Sequence, residues 1–382
     1  MVTVAPPPLH TAVRHLGPNW YVTVMGTAMV GTAGASLPVR PPGLRPACAT
    51  LWALSLALLL ALLAARALHW RHHPDRARAH LLDPATAPFY GCLAMALLAV
   101  GAGALTVGRD WIGTGAAVAL DAVLFGAGTV VALAAAVGVP YLMAVRHGAG
   151  PGQASPVWLL PLVAPMVSAA SGPLLVPHLP PGQPRQTLLL ACLALFGLSL
   201  LATLVMLPVV FGRLVTGGPL PLALAPTLFL VLGPLGQSTT AVGKFAEVAP
   251  GVVPGPDGRG FAVLSVLYGV PVMGFALLWL CLATAHVVRA RRQGMGFAMS
   301  WWAFTFPVGT CVTGVAGLAR HTGLVAFDVL AVVLYVVLVA AWTVVAAHTV
   351  RGVVSGALLA GPRPAPVVLR RATGRTTSGA VR

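Results

Sequence analysis

Charge is what this sequence has least of. Only 8% of its 382 residues are Asp, Glu, Lys or Arg, against roughly 25% in a soluble globular domain. A chain so poor in charge cannot cover itself with water-facing side chains, which excludes an ordinary soluble enzyme or binding domain. Acids number seven, and lysine occurs once, as Lys244; the preference for arginine is that of a high-GC bacterial genome. Cysteine is sparse as well. Cys48, Cys92, Cys192, Cys281 and Cys311 all fall inside apolar runs and none makes a C-x-x-C pair, so neither a zinc site nor a disulfide framework is implied. Catalytic signatures are missing: there is no H-E-x-x-H and no phosphate-binding glycine loop, and AASG at 169–172 has Ala169 where a serine elbow requires glycine. No enzyme, cofactor or metal is expected.

What fills the chain is apolar surface, 58% of residues with a mean hydropathy of +0.90. Runs long enough to span a bilayer, about 20 residues each, lie at 18–37, 47–68, 87–107, 113–139, 157–177, 187–211, 221–242, 261–286, 299–319 and 324–347. They predict an all-α membrane protein of ten transmembrane helices. One domain covers 1–350, and a basic, disordered cytoplasmic tail follows over 351–382. The first 36 residues have the basic start of a signal peptide, but Gly26, Gly31 and Gly34 interrupt the apolar core, so they are read as a retained span. Segment 243–260 is read as the longest internal loop.

A net charge of +16 would point to nucleic acid in a soluble protein. Here the arginines lie between apolar runs, so the charge is read as topology and no nucleic-acid partner is expected. An even number of spans puts both termini on one side, and that side holds sixteen of the 23 basic residues. Positive charge marks the cytoplasmic face, which places both termini in the cytoplasm beneath a bacterial plasma membrane.

The spans also alternate in kind. Odd ones are rich in Gly, Pro, Ser and Thr, as in PNWYVTVMGTAMVGTAGASLP (18–38); even ones are mostly Leu, Ala and Val, as in LWALSLALLLALLAA (51–65). Helix-breaking residues survive in a bilayer only where protein or water satisfies the freed backbone groups, whereas leucine faces lipid at no such cost. The parity predicts five hairpins, with inner odd helices lining a central pore and outer even helices facing lipid. Pore-lining or kink positions are then Gly26, Thr27, Pro165, Gly233, Pro234, Gln237, Ser238 and Pro307.

These inner helices lack the acidic rings of cation channels and the carboxylate relays of proton-driven carriers. Hydroxyls, small residues and aromatics stand there instead, and five parallel helix dipoles give a weak positive field, so a small anion fits best. Asp121 in the fourth span is the deepest acid, either a structural hydrogen-bond partner or a proton acceptor. Asp328 and Lys244 lie near span ends. His69, His72 and His73 have a spacing that suits a metal, but among arginines at a cytoplasmic helix end they are read as interfacial.

Three stretches carry a resemblance: PNWYVTVMGTAMV (18–30), GPLGQS (233–238) and SWWAFTFPVGT (300–310). With the ten-span layout, the chain resembles the tellurite-resistance/dicarboxylate transporter family, which includes plant guard-cell slow anion channels, yeast malate carriers and fungal sulfite exporters. The resemblance implies five hairpins around a pore, commonly as a homo-trimer. It also implies a small anionic solute, four-carbon dicarboxylates such as malate first, with sulfite, chloride, nitrate or tellurite-related anions as alternatives. In the channel members a phenylalanine of the ninth helix plugs the pore, and the matching motif places it at Phe306, with Phe304 second. A phenyl ring in a narrow uncharged pore blocks wetting until it rotates, and Pro307 beside it weakens the local helix. The plant channels' long phosphorylatable N-terminal extension has no counterpart in the 17 residues before Pro18, so kinase gating of that type is not expected. A membrane receptor or scaffold that moves nothing is the alternative from another class, and a sealed bundle would mark it.

Overall fold

The structure, a computed structural model, describes residue 14 and residues 16–148, 150–253 and 255–359. Most of the expected tail, from 360 onward, lies outside the described residues. Ten principal helices follow: α1 Tyr21–Ser36, α2 Leu44–His72, α3 Tyr90–Gly103, α4 Thr114–Leu142, α5 Leu159–Ser171, α6 Gln183–Gly217, α7 Leu232–Val248, α8 Pro256–Arg292, α9 Phe306–Thr322 and α10 Val325–Val354. A π-helical turn, Ala104–Gly108, extends α3 to Ile112. No strand occurs among the described residues.

The odd helices share a start. Each follows a 3-10 segment: Pro18–Trp20, Ala87–Phe89, Pro156–Trp158, Leu222–Val231 and Met299–Phe304. Pro18, Pro88 and Pro156 sit in the first turn of theirs, where proline's missing N–H has no intrahelical partner to lose. They share an exit as well. Every turn from an odd to the next even helix holds a glycine at positive φ, namely Gly43, Gly113, Gly182, Gly255 and Gly323. A side chain there would strain the reversal.

Packing follows the parity read from composition. Among the described residues, nine helices are long and apolar enough to cross a membrane; the four inner ones are 78–94% buried and the five outer ones 22–28%. The remaining helix, α1, has sixteen residues, thirteen of them buried. Each odd helix packs on its even partner, and the odd helices pack on one another in sequence, α1 on α3, α3 on α5, α5 on α7, α7 on α9, and α9 back on α1. The result is a closed ring of five helices inside a sleeve of five. Long leucine and valine runs meet lipid on the sleeve, while small residues let the ring close tightly. At Gly236 a Cβ would lie 2.5 Å from the Cys311 nitrogen of α9.

Two breaks read from the sequence are helical. The expected loop 243–260 is helix at both ends, since α7 runs to Val248 and α8 starts at Pro256. Phe245 is fully buried there, and Lys244 and Glu247 pair one turn apart at 2.7 Å; together these carry the helix past a stretch that looks polar. Between α2 and α3, Pro74–Leu82 forms a nine-residue helix. It lies against the end of α2, where buried Arg66 donates to the Leu16 carbonyl at 2.6 Å and His69 stacks on His80 with centroids 5.4 Å apart. Burial first, then the charges of Arg66 and His69, hold the His80 imidazole below its usual range. Among the described residues no group of three or more His, Cys, Asp or Glu is placed to hold a metal.

Candidate functional site

Three spaces follow one another along the ring: each inner helix contributes to the first two, and the segments that precede the helices line the third. At the C-terminal ends of the inner helices opens a cavity of about 710 Å³, whose wall includes Thr32, Thr106, Ser171, Gln237 and Thr313. Further back toward the helix starts, a void of about 10 Å³ is lined by Met25, Met95, Leu160, Val163, Leu230 and Gly233. Beyond it, at the 3-10 segments, a second cavity of about 400 Å³ is lined by Asn19, Ser155, Trp158, Thr227 and Ser300 among others. Phe306 borders both the large cavity and the void. The void has room for about one water, and its walls give that water almost nothing to bond, so the middle of the path is dry.

Local backbone sets the Phe306 ring there. The 3-10 segment Met299–Phe304 ends at Thr305, with φ −98° and ψ −80°, and α9 begins afresh at Phe306. Thr305 ties off the broken segment by donating to the Trp302 carbonyl at 2.7 Å. Pro307 sits in the first turn of α9, where it costs no hydrogen bond. Phe306 is only 2% exposed. Gly233 lines the same void, and an added Cβ there would meet nothing within 4 Å.

The other expected positions distribute unevenly. Gln237 lines the large cavity, and Gly233 and Pro307 line the void. Gly26 lies at a helix contact, where a Cβ would run into Thr305 and Trp302. Thr27 accepts a bond from the Trp342 indole of outer helix α10 at 3.0 Å. Ser238 is buried and donates to the Leu235 carbonyl of its own helix. Pro165 and Pro234 are buried within α5 and α7. Phe304 packs edge-on against Phe229 with centroids 4.8 Å apart. Asp121 is 1% exposed although its helix is an outer one, and neither carboxylate oxygen has a partner among the described residues. It points at α3, where the missing side chain of Gly101 makes room.

Sequence reasoning passed over the mouth of the large cavity. Five cations, Arg40, Arg45, Arg109, Lys244 and Arg320, line it against two carboxylates, Glu247 and Asp328. Glu247 bridges Lys244 at 2.7 Å and Arg320 at 2.9 Å, joining α7 to α9. Arg45 is spent on a two-pronged pair with Asp110, at 2.6 and 2.9 Å. A surplus of positive charge at a cavity mouth concentrates anions there. Spacing was the available signal: 237, 240, 244 and 247 fall on one face of a helix, provided α7 is known to run that far.

A ring of inner helices in an apolar sleeve, with a positively rimmed cavity above a dry void, defines a multi-pass membrane protein. The chain belongs to the voltage-dependent anion channel (SLAC1) family, whose family model matches residues 15–350. It is 28% identical over 349 residues to a sulfite efflux pump of Arthroderma otae, covering 89% of this chain and 91% of that one. A sulfite efflux pump of Trichophyton rubrum is likewise 28% identical, over 359 residues, with 89% and 91% covered. An uncharacterized transporter of Methanocaldococcus jannaschii is 26% identical over 350 residues, covering 91% and 96%. Anion transport or channel function, and no enzymatic one, follows from this membership.

Proposed function

We propose that this protein is a Phe306-gated path for small oxyanions of the sulfite type. One observation carries the gate: among the described residues, Phe306 alone of the aromatics borders both the large cavity and the void behind it. Rotating its ring toward Gly233, where open space adjoins, joins the two and lets water in. Sulfite is favoured over malate because the fungal relatives are named for sulfite efflux. In this reading α1, with its 3-10 start, is the tenth span; sixteen helical and three 3-10 residues reach about 30 Å. Both termini are cytoplasmic, the positive rim faces outside a bacterial plasma membrane, and the assembly is a homo-trimer.

Purified protein in liposomes tests the gate. Phe306→Ala is expected to raise sulfite flux about tenfold or more, equivalent to lowering the barrier by about 1.4 kcal/mol, while Phe304→Ala leaves it unchanged. Equal flux through wild type and Phe306→Ala would remove the gate. Malate carried in preference to sulfite would overturn the oxyanion assignment.

A further inference from the structure

The large cavity is lined by hydroxyls, but their protons are already committed. Thr32 donates to the Ala28 carbonyl at 3.1 Å, Ser36 to Ala33 at 2.7 Å, Thr106 to Ala102 at 2.7 Å and Ser171 to Val167 at 2.9 Å. Thr240 and Thr313 share one bond at 2.7 Å, and their remaining bonds go to the Gly236 and Thr310 carbonyls. A hydroxyl has one proton, so each of these turns lone pairs, not a donor, toward the cavity. Such a wall repels an anion.

Gln237 is the exception. It is 5% exposed and lines the cavity, yet neither end of its amide makes a hydrogen bond among the described residues, and its Oε1 is fully buried without a partner. A buried amide left unpaired is costly, and the two N–H donors of Nε2 are the only uncommitted neutral donors that the side chains lining the cavity contain. The residue stands one turn above Gly233 and about 10 Å along α7 from Lys244, between the dry centre and the positive rim.

We infer that Gln237 is an anion-binding station that selects oxyanions over halides, an inference that rests on the anion-transport reading above. One N–H of the amide can meet an oxyanion oxygen along a directed lone pair, whereas a halide offers a single sphere without such direction. The rim cations gather anions of any shape. Gln237 then holds an oxyanion while it sheds water before the Phe306 ring.

The test measures sulfite and chloride flux through liposomes containing wild type and Gln237→Leu. A hydrogen bond to a charged group is worth about tenfold or more, so sulfite flux at subsaturating concentration should fall about that much while chloride flux holds. A parallel fall of both anions, or no fall in either, would overturn the station and leave the conduit standing. A wild type that carries neither anion would remove the transport reading and the station with it. Gln237→Glu, nearly the same shape, guards against a folding defect: sulfite should raise the melting temperature of the detergent-solubilised wild type but not of this variant. Equal stabilisation of both, or of neither, would also sink the station.

Discussion

Single residues decide how close the inner helices come, and two glycines three residues apart in α7, Gly233 and Gly236, do opposite things. An added Cβ at Gly236 would press on the backbone of Thr310 and Cys311 at 2.5–2.6 Å, which cannot step aside. Gly236→Ala should therefore destabilise the protein by about 1–3 kcal/mol, seen as a lower melting temperature in detergent. Gly233→Ala meets open space and should keep the melting temperature, because alanine favours helix over glycine. A Gly236→Ala protein as stable as wild type would show that α7 and α9 are not pressed together at this point. Both glycines stand in a motif that was readable from the sequence, but nothing in GPLGQS says which one touches a helix and which one faces a void.

At the scale of elements, the contact of α7 with α9 carries the polar side of the path. Glu247 joins Lys244 and Arg320 across these helices and offsets part of the rim's charge. Glu247→Gln adds one net positive charge there. Its sulfite flux at low ionic strength should exceed that of wild type by about tenfold at most, the lower end of electrostatic steering, and the gain should vanish as salt screens the rim. Flux that is unchanged at low salt would mean that the rim does not collect the anion. This contact was illegible from the sequence because the stretch after Val242 reads as a polar loop. Only the burial of Phe245 shows that the helix continues and that Lys244, Glu247 and Gln237 share a face.

For the whole molecule, the ring and its sleeve leave orientation to the distribution of arginine. In a variant with Cys281 replaced by serine, the other native cysteines are all buried. A cysteine placed at Arg40 should then react with a membrane-impermeant maleimide in intact cells, and one placed at Arg76 only after permeabilisation. The reverse pattern would turn the molecule over and put the positive rim in the cytoplasm.

Composition alone determined the helical class, the number of apolar runs and the division into inner and outer helices. The physical reason is that lipid accepts only satisfied backbone and apolar side chains, so each helix records in its own residues which neighbours it has. Tertiary structure decided the path. Whether a hydroxyl or an amide has a proton left for an anion depends on which carbonyl lies within reach. Whether Phe306 or Phe304 reaches the void between the inner helices depends on a backbone break at Thr305. Both are relations between helices, and no residue holds them by itself.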